Sequence, residues 1–198
     1  MPRPRKKPIE ILTPDEVGKL LRSCGACPTG IRDKALIGLF WRAGLRVGET
    51  LSLVPRDVDL TRGAIEIVRG KGGRHRVVGL DTGAQALLEA WLGVRKLLPA
   101  VGRSSPLFCT LRGTSISPVQ VRAMLKRRAV RAGVERRVHP HSLRHTFACE
   151  LVQEGTPVPT ISAVLGHSSS AVTALYLDHV QPQQVLDLAK GRGGWLPQ

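Results

Sequence analysis

Residues 141–145 read His141-Ser142-Leu143-Arg144-His145, a pentapeptide whose spacing sets both a helix face and a chemistry. Three residues apart on a helix, His141 and Arg144 share a face and can converge on one ligand. Arg144 is charged at every accessible pH, and its planar fork suits the oxygens of a phosphate. His141 can donate to the same group or exchange a proton near neutrality. Downstream, Leu165-Gly166-His167 places another histidine 23 residues after Arg144, and Tyr176 follows nine residues later. Tyr176 is the only tyrosine in the sequence. An isolated tyrosine is ordinarily a core ring with its hydroxyl at the surface. Downstream of two histidines and an arginine, it reads as a nucleophile aimed at an anion.

Upstream, Ala43-Gly44-Leu45-Arg46-Val47-Gly48-Glu49 puts a second arginine at a junction between two helices. Gly44 lets the chain turn tightly, and Glu49 lies three residues beyond Arg46, where it can hold the guanidinium by a charge-assisted bond. The plainer reading is a surface ion pair, which contributes little. Lys71 falls at the tip of the glycine-rich turn Arg69-Gly70-Lys71-Gly72-Gly73-Arg74, a mobile cation on a loop that can reach into a cleft or simply face water.

The charge balance narrows the partner. Thirty Lys and Arg against fifteen Asp and Glu give a net charge of +15. Such an excess predicts a polyanion, nucleic acid before an anionic membrane surface. Aromatic residues are only 4% of the chain, too few for a platform that stacks single-stranded bases, so duplex DNA gripped through its phosphates is expected. No apolar stretch is long enough to cross a bilayer and no apolar signal segment follows the basic N-terminus, which predicts a cytoplasmic, nucleoid-associated protein. Cys24-Gly25-Ala26-Cys27 has the spacing of half a zinc site but lacks a second pair, so free thiols and no metal are expected.

Residues 1–8 form a basic, proline-broken arm. Thr13-Pro14-Asp15-Glu16 is a capping box that opens a helix to about Ser23, and a second helix is expected over Gly30 to Ala43. A short helix over Val47 to Leu53 ends at Pro55. Residues 64–68 and 75–79 read as two strands of a hairpin. Helical patterning returns from Asp81 to about Leu98 and, behind the capping box Ser117-Pro118-Val119-Gln120, to about Ala132. The latter helix has Val121, Met124, Leu125 and Ala129 on one face and Arg122, Lys126, Arg127 and Arg131 on the other, a surface of one sign expected to lie against DNA. The last third predicts helices over 141–154, 157–165, 170–179 and 182–190, with Leu143, Phe147 and Leu151 as the stripe that anchors the first of them. The fold class is therefore mainly α with a small antiparallel β-sheet, an α+β domain.

Gly44-Leu45-Arg46-Val47-Gly48-Glu49, Gly70-Lys71-Gly72, His141-Ser142-Leu143-Arg144-His145, Leu165-Gly166-His167 and Tyr176 follow in the order found in tyrosine recombinases, the lambda-integrase-like site-specific recombinases. The chain resembles that family over about residues 10–190. The resemblance implies a catalytic domain over 9–180 and a set of roles. Arg46 and Arg144 would clamp the non-bridging oxygens of a scissile phosphate. Tyr176 would attack in line to give a 3′-phosphotyrosine. Lys71 would protonate the leaving 5′-oxygen, His141 would help move the nucleophile's proton, and His167 would hydrogen-bond the phosphate. Neither a metal nor a nucleotide cofactor is implied.

The sequence also departs from the family. Relatives commonly carry a further N-terminal helical domain, and this chain opens almost directly on the catalytic domain, as a minimal enzyme or as a piece of a longer protein. Arg74 stands where a second lysine is common and is expected to take over a phosphate contact. His179 lies three residues after Tyr176, where many relatives have a histidine two residues after theirs. Residues 181–198 form a tail whose short helix is expected to dock on a neighbouring subunit, giving a homotetramer on two DNA sites. The competing readings are a type IB topoisomerase-like enzyme that cleaves without exchanging strands and a DNA-binding or regulatory protein that keeps the fold without the chemistry. The target site, any accessory proteins and the outcome (integration, excision, inversion or dimer resolution) are not written in the residues.

Overall fold

The Thr13 hydroxyl accepts from the Glu16 amide at 3.2 Å, and the Glu16 carboxylate accepts from the Thr13 amide at 2.7 Å. This reciprocal cap opens α1 (Pro14–Arg22), which buries Val17 and Leu20. The computed structural model describes residues 11–68 and 75–166, and the chain divides into two compact units, residues 1–147 and 148–198.

In the first unit, α2 (Pro28–Arg42) starts two residues before its expected boundary, because Pro28 occupies the first turn, where its missing amide proton is not needed. Gly30 sits inside that turn because a Cβ there would stand 2.2 Å from the Gly25 carbonyl oxygen. The helix buries Ala35, Leu36, Ile37, Leu39 and Phe40 and packs on α4 (Thr82–Lys96), whose N-terminus is capped by the Asp81 carboxylate accepting from the Ala84 amide. At the far end of α4, the Trp91 indole donates to the Leu107 carbonyl at 2.8 Å and stacks on Phe108.

After the Gly44 corner comes α3 (Val47–Ser52), then a single 3-10 turn at Pro55–Asp57. Three strands follow as an antiparallel sheet in the order β1 (Val58–Asp59), β2 (Ala64–Ile67), β3 (Arg76–Gly79). The two hairpin strands were expected; β1 was not, since two residues are too short to show a period. Ile65 pairs with Val78 and Ile67 with Arg76, so these four residues share the inner face while Glu66 and Val77 face out. Residues 69–74, between β2 and β3 and including Lys71 and Arg74, lie outside the described residues.

The Ser117 capping box opens α5 (Pro118–Ala132), which packs on α1 and α3 through Val121, Met124, Leu125 and Ala129. One arginine of this helix turns inward. Arg128 donates to the buried Asp33 carboxylate at 2.6 and 3.1 Å and to the Ser23 carbonyl at 3.0 Å, and Arg32 donates to the other oxygen of Asp33.

His139 caps α6 (Pro140–Gln153). Its Nδ1 accepts from the Ser142 amide at 2.9 Å, while the Ser142 hydroxyl accepts from the His139 amide at 3.0 Å. The anchoring stripe of this helix differs from expectation. Leu143 is fully buried, but Phe147 and Leu151 are only half-buried, and Ser142, Arg144 and Thr146 are buried in their place. Those polar side chains find partners: Thr146 accepts from the Leu12 amide at 2.9 Å and donates to the Ser142 carbonyl at 3.0 Å. A hydrophobic-period reading has no way to count them as core.

In the second unit, the remainder of α6 buries Ala148, Cys149 and Val152, and α7 (Val158–Leu165) buries Ile161 and Leu165. Gly166 ends α7 at φ +62°, the left-handed cap that explains a glycine after Leu165. The expected helices at 170–179 and 182–190, the arm 1–8 and the tail 181–198 lie outside the described residues. No described helix is long and apolar enough to cross a membrane.

Asp33 is the counter-charge of two arginines, so Asp33→Ala leaves both without it. The expected loss is about 3 kcal/mol, the range for breaking a buried ion pair, read as a lowered urea midpoint at unchanged m-value.

Candidate active site

Gly44 has φ +59°, a conformation that a side-chain-bearing residue adopts only under strain, and it turns the chain sharply out of α2. That corner leaves the Gly44 carbonyl without a helical partner, and the Arg144 guanidinium donates to it from a hundred residues away in sequence. Arg144 is only 3% exposed. The corner that carries Arg46 is thereby tied directly to the helix that carries His141.

Arg46 stands at the entrance of α3, one-third exposed, with its carbonyl accepting from the Thr50 amide and hydroxyl. Its own amide donates to Glu49 Oε2 at 2.9 Å and its Nη1 to Oε1 at 2.8 Å. The expected bond to Glu49 therefore exists, and because the Glu49 side chain is just 4% exposed it is a different object from a surface ion pair. A residue that sequence reasoning missed supplies the rest. Arg76 of β3 donates to both Glu49 oxygens, at 3.0 and 2.8 Å. Burial would push the Glu49 carboxyl up, but the bonds from Arg76, the Arg46 amide and the Arg46 guanidinium outweigh it and hold the pKa at about 2. Arg76 was legible in principle, since it is in phase with the buried Val78 on the inner face of its strand.

The His141 ring keeps solvent access and lies between those of His139 and His145, with centroids at 6.4 and 6.1 Å. Crowding by surrounding protein, then the positive charges of Arg144, Arg46 and Arg122, push its pKa below the usual histidine value. Arg122 thus belongs electrostatically to this neighbourhood. Lys126, Arg127 and Arg131 are exposed on α5, as expected, and Arg127 also lines a cavity of about 290 Å3 with Arg32, Thr110 and Gln120.

Among the residues expected to form the site, Arg46, His141 and Arg144 lie in one neighbourhood of the first unit. Lys71, Arg74, His167 and Tyr176 lie outside the described residues. No cluster of three or more His, Cys, Asp or Glu suited to a metal occurs among the described residues; Cys24 is buried with its thiol on the Leu20 carbonyl, and Cys27 is exposed.

With this geometry in hand, the likeness to known proteins is specific. The profile of the phage integrase family matches residues 10–183, and the chain belongs to that family. It is 36% identical over 184 residues to the tyrosine recombinase XerC of Thermodesulfovibrio yellowstonii, covering 90% of this chain and 60% of the relative. Among solved structures it superposes on the XerA recombinase with a TM-score of 0.82 at 27% identity, covering 97% of this chain and 68% of that one. It also superposes on the XerH site-specific recombinase bound to palindromic difH substrate, in a post-cleavage complex, with a TM-score of 0.75 at 28% identity, covering 91% and 52%. The chain thus spans about 60% of the curated relative's length.

Because Glu49 titrates near 2 in the folded chain and near 4.5 when unfolded, the unfolded state binds the extra proton between those values. The resulting stabilisation, about 3 kcal/mol, is fully present above pH 4.5 and lost as pH falls towards 2. Glu49→Gln is expected to flatten the stability-versus-pH curve over that window, measured by urea unfolding at stepped pH.

Proposed function

We propose that this chain is the catalytic part of a site-specific DNA recombinase that cleaves and rejoins duplex DNA through Tyr176. The observation that carries the reading is the bond from buried Arg144 to the Gly44 carbonyl, which brings two guanidiniums and an imidazole to one neighbourhood. The XerH relative's post-cleavage complex with its substrate supports DNA as the ligand.

The chemistry follows from the groups. Arg46 and Arg144 face the non-bridging oxygens and stabilise the extra negative charge of the pentacoordinate transition state. Tyr176 attacks phosphorus in line; its proton passes to His141, which is neutral at neutral pH because its pKa lies below the ordinary value. The P–O5′ bond breaks, Lys71 protonates the departing oxygen, and His167 hydrogen-bonds the phosphate. The 3′-phosphotyrosine keeps the phosphodiester energy, so attack by a new 5′-hydroxyl reseals the strand without a metal or nucleotide. Arg74, Arg122, Lys126, Arg127 and Arg131 neutralise flanking phosphates. The catalytic domain occupies residues 9–180. The tail 181–198 docks on a neighbour, forming a tetramer on two sites, and the enzyme works in the cytoplasm on the nucleoid.

A pool of nicked duplexes, selected for binding from genomic fragments, provides the test. Wild type is expected to form a covalent adduct stable on a denaturing gel, and Tyr176→Phe is not. An adduct that persists in the Phe variant refutes the nucleophile; none from wild type points to a binding protein without the chemistry. Removing residues 181–198 is expected to abolish strand exchange between two sites while the monomer stays folded by circular dichroism. Exchange at the wild-type rate excludes docking in trans.

A further inference from the structure

The geometry points to Arg76 as a positioning residue that, by sharing the Glu49 carboxylate, leaves the charge of Arg46 uncompensated towards its ligand. The inference rests on the proposed role of Arg46 at a phosphate. Glu49 accepts from Arg46 and from Arg76, so two guanidiniums and one carboxylate leave one net positive charge. With Arg46 as its only partner, a buried carboxylate would neutralise it and pull both its donor edges inward. Arg76 prevents this by presenting two nitrogens, one to each Glu49 oxygen, at 3.0 and 2.8 Å, against 2.8 Å for the bond from Arg46 Nη1. The exposures fit that division: the Arg76 side chain is 12% exposed and Arg46 34%, so Arg76 satisfies the carboxylate from inside while Arg46 keeps an accessible flank.

The backbone fixes this division. Arg76 occupies an inward position on β3, paired with Ile67 and in phase with Val78, so the strand delivers its side chain to the inner face. In sequence, Lys71 precedes the same strand by five residues. Glu49 lies in the first turn of α3, whose entrance is Arg46. One carboxylate therefore joins β3 to the helix start that aims Arg46. The His141 ring, which senses the Arg46 charge, reports on the balance.

The test is a charge cycle on the full chain. Single-turnover adduct formation on the selected nicked duplexes is measured for wild type, Arg76→Gln, Arg76→Lys and the double variant Glu49→Gln/Arg76→Gln. Arg76→Gln is expected to slow cleavage by up to about 10²-fold, the loss seen when a donor to the transition state is removed outright, with duplex affinity changed by less than about 3-fold. Arg76→Lys is expected to recover part of that loss. The double variant restores the net charge with Arg46 alone and is expected to cleave faster than Arg76→Gln. A double variant no faster than Arg76→Gln, or Arg76→Gln at the wild-type rate, overturns the inference. In parallel, NMR titration of His141 is expected to show its pKa raised in Arg76→Gln and returned to the wild-type value in the double variant; a double variant that stays with Arg76→Gln overturns it. If wild type forms no adduct, the proposed cleavage reaction fails, and the His141 titration still decides the charge balance on its own.

Discussion

A guanidinium that is 3% exposed must find acceptors inside the protein, and Arg144 takes the carbonyl of Gly44. The rest of the site depends on that bond. It requires a corner sharp enough to free a carbonyl, hence a glycine at positive φ, and a helix start held firmly enough to aim the arginine. The helix is held by groups that a hydrophobicity pattern ignores: the His139–Ser142 cap and the Thr146 hydroxyl on the Leu12 amide. Neutral hydrogen bonds of this sort each contribute roughly 1 kcal/mol net. Their larger effect is to remove the freedom by which Arg144 could miss its acceptor.

The net charge of +15 is divided among different tasks. Some arginines bind the protein to itself. Arg95, 5% exposed, closes the 102–106 loop by donating to the carbonyls of Gly102, Ser105 and Pro106, and Arg128 holds α5 to α2 through Asp33. Others on α5, Arg122, Lys126, Arg127 and Arg131, remain exposed. The pattern on one helix shows how the two uses separate. Arg128 lies beside the buried stripe and meets a carboxylate, while its neighbour Arg127 turns outwards and is exposed. Net charge alone overstates what is available to a polyanion.

Much of this was legible in the residues, for identifiable reasons. Both capping boxes, at Thr13 and Ser117, place their helices to within a residue because side-chain caps are local. Glu49 was expected to hold Arg46 because three residues on a helix start bring them together. What the sequence hid is long-range or polar. Arg76 reaches Glu49 across 27 positions, and its inward phase on β3 was the single local sign of it. The Phe147 and Leu151 stripe failed because Ser142, Arg144 and Thr146 compete for the interior once hydrogen-bonded. β1 was too short to carry any period.

The cap at His139 has a bearing on when this site exists at all. An imidazole accepts at Nδ1 only while that nitrogen has a free lone pair, so the bond from the Ser142 amide requires the neutral ring. A proton on that nitrogen would remove one arm of the reciprocal cap, two residues before His141 and five before Arg144, and leave the Ser142 hydroxyl bonds to the His139 backbone. The aim of the arginine therefore depends on which nitrogen of the His139 ring carries a proton, as well as on the packing around it.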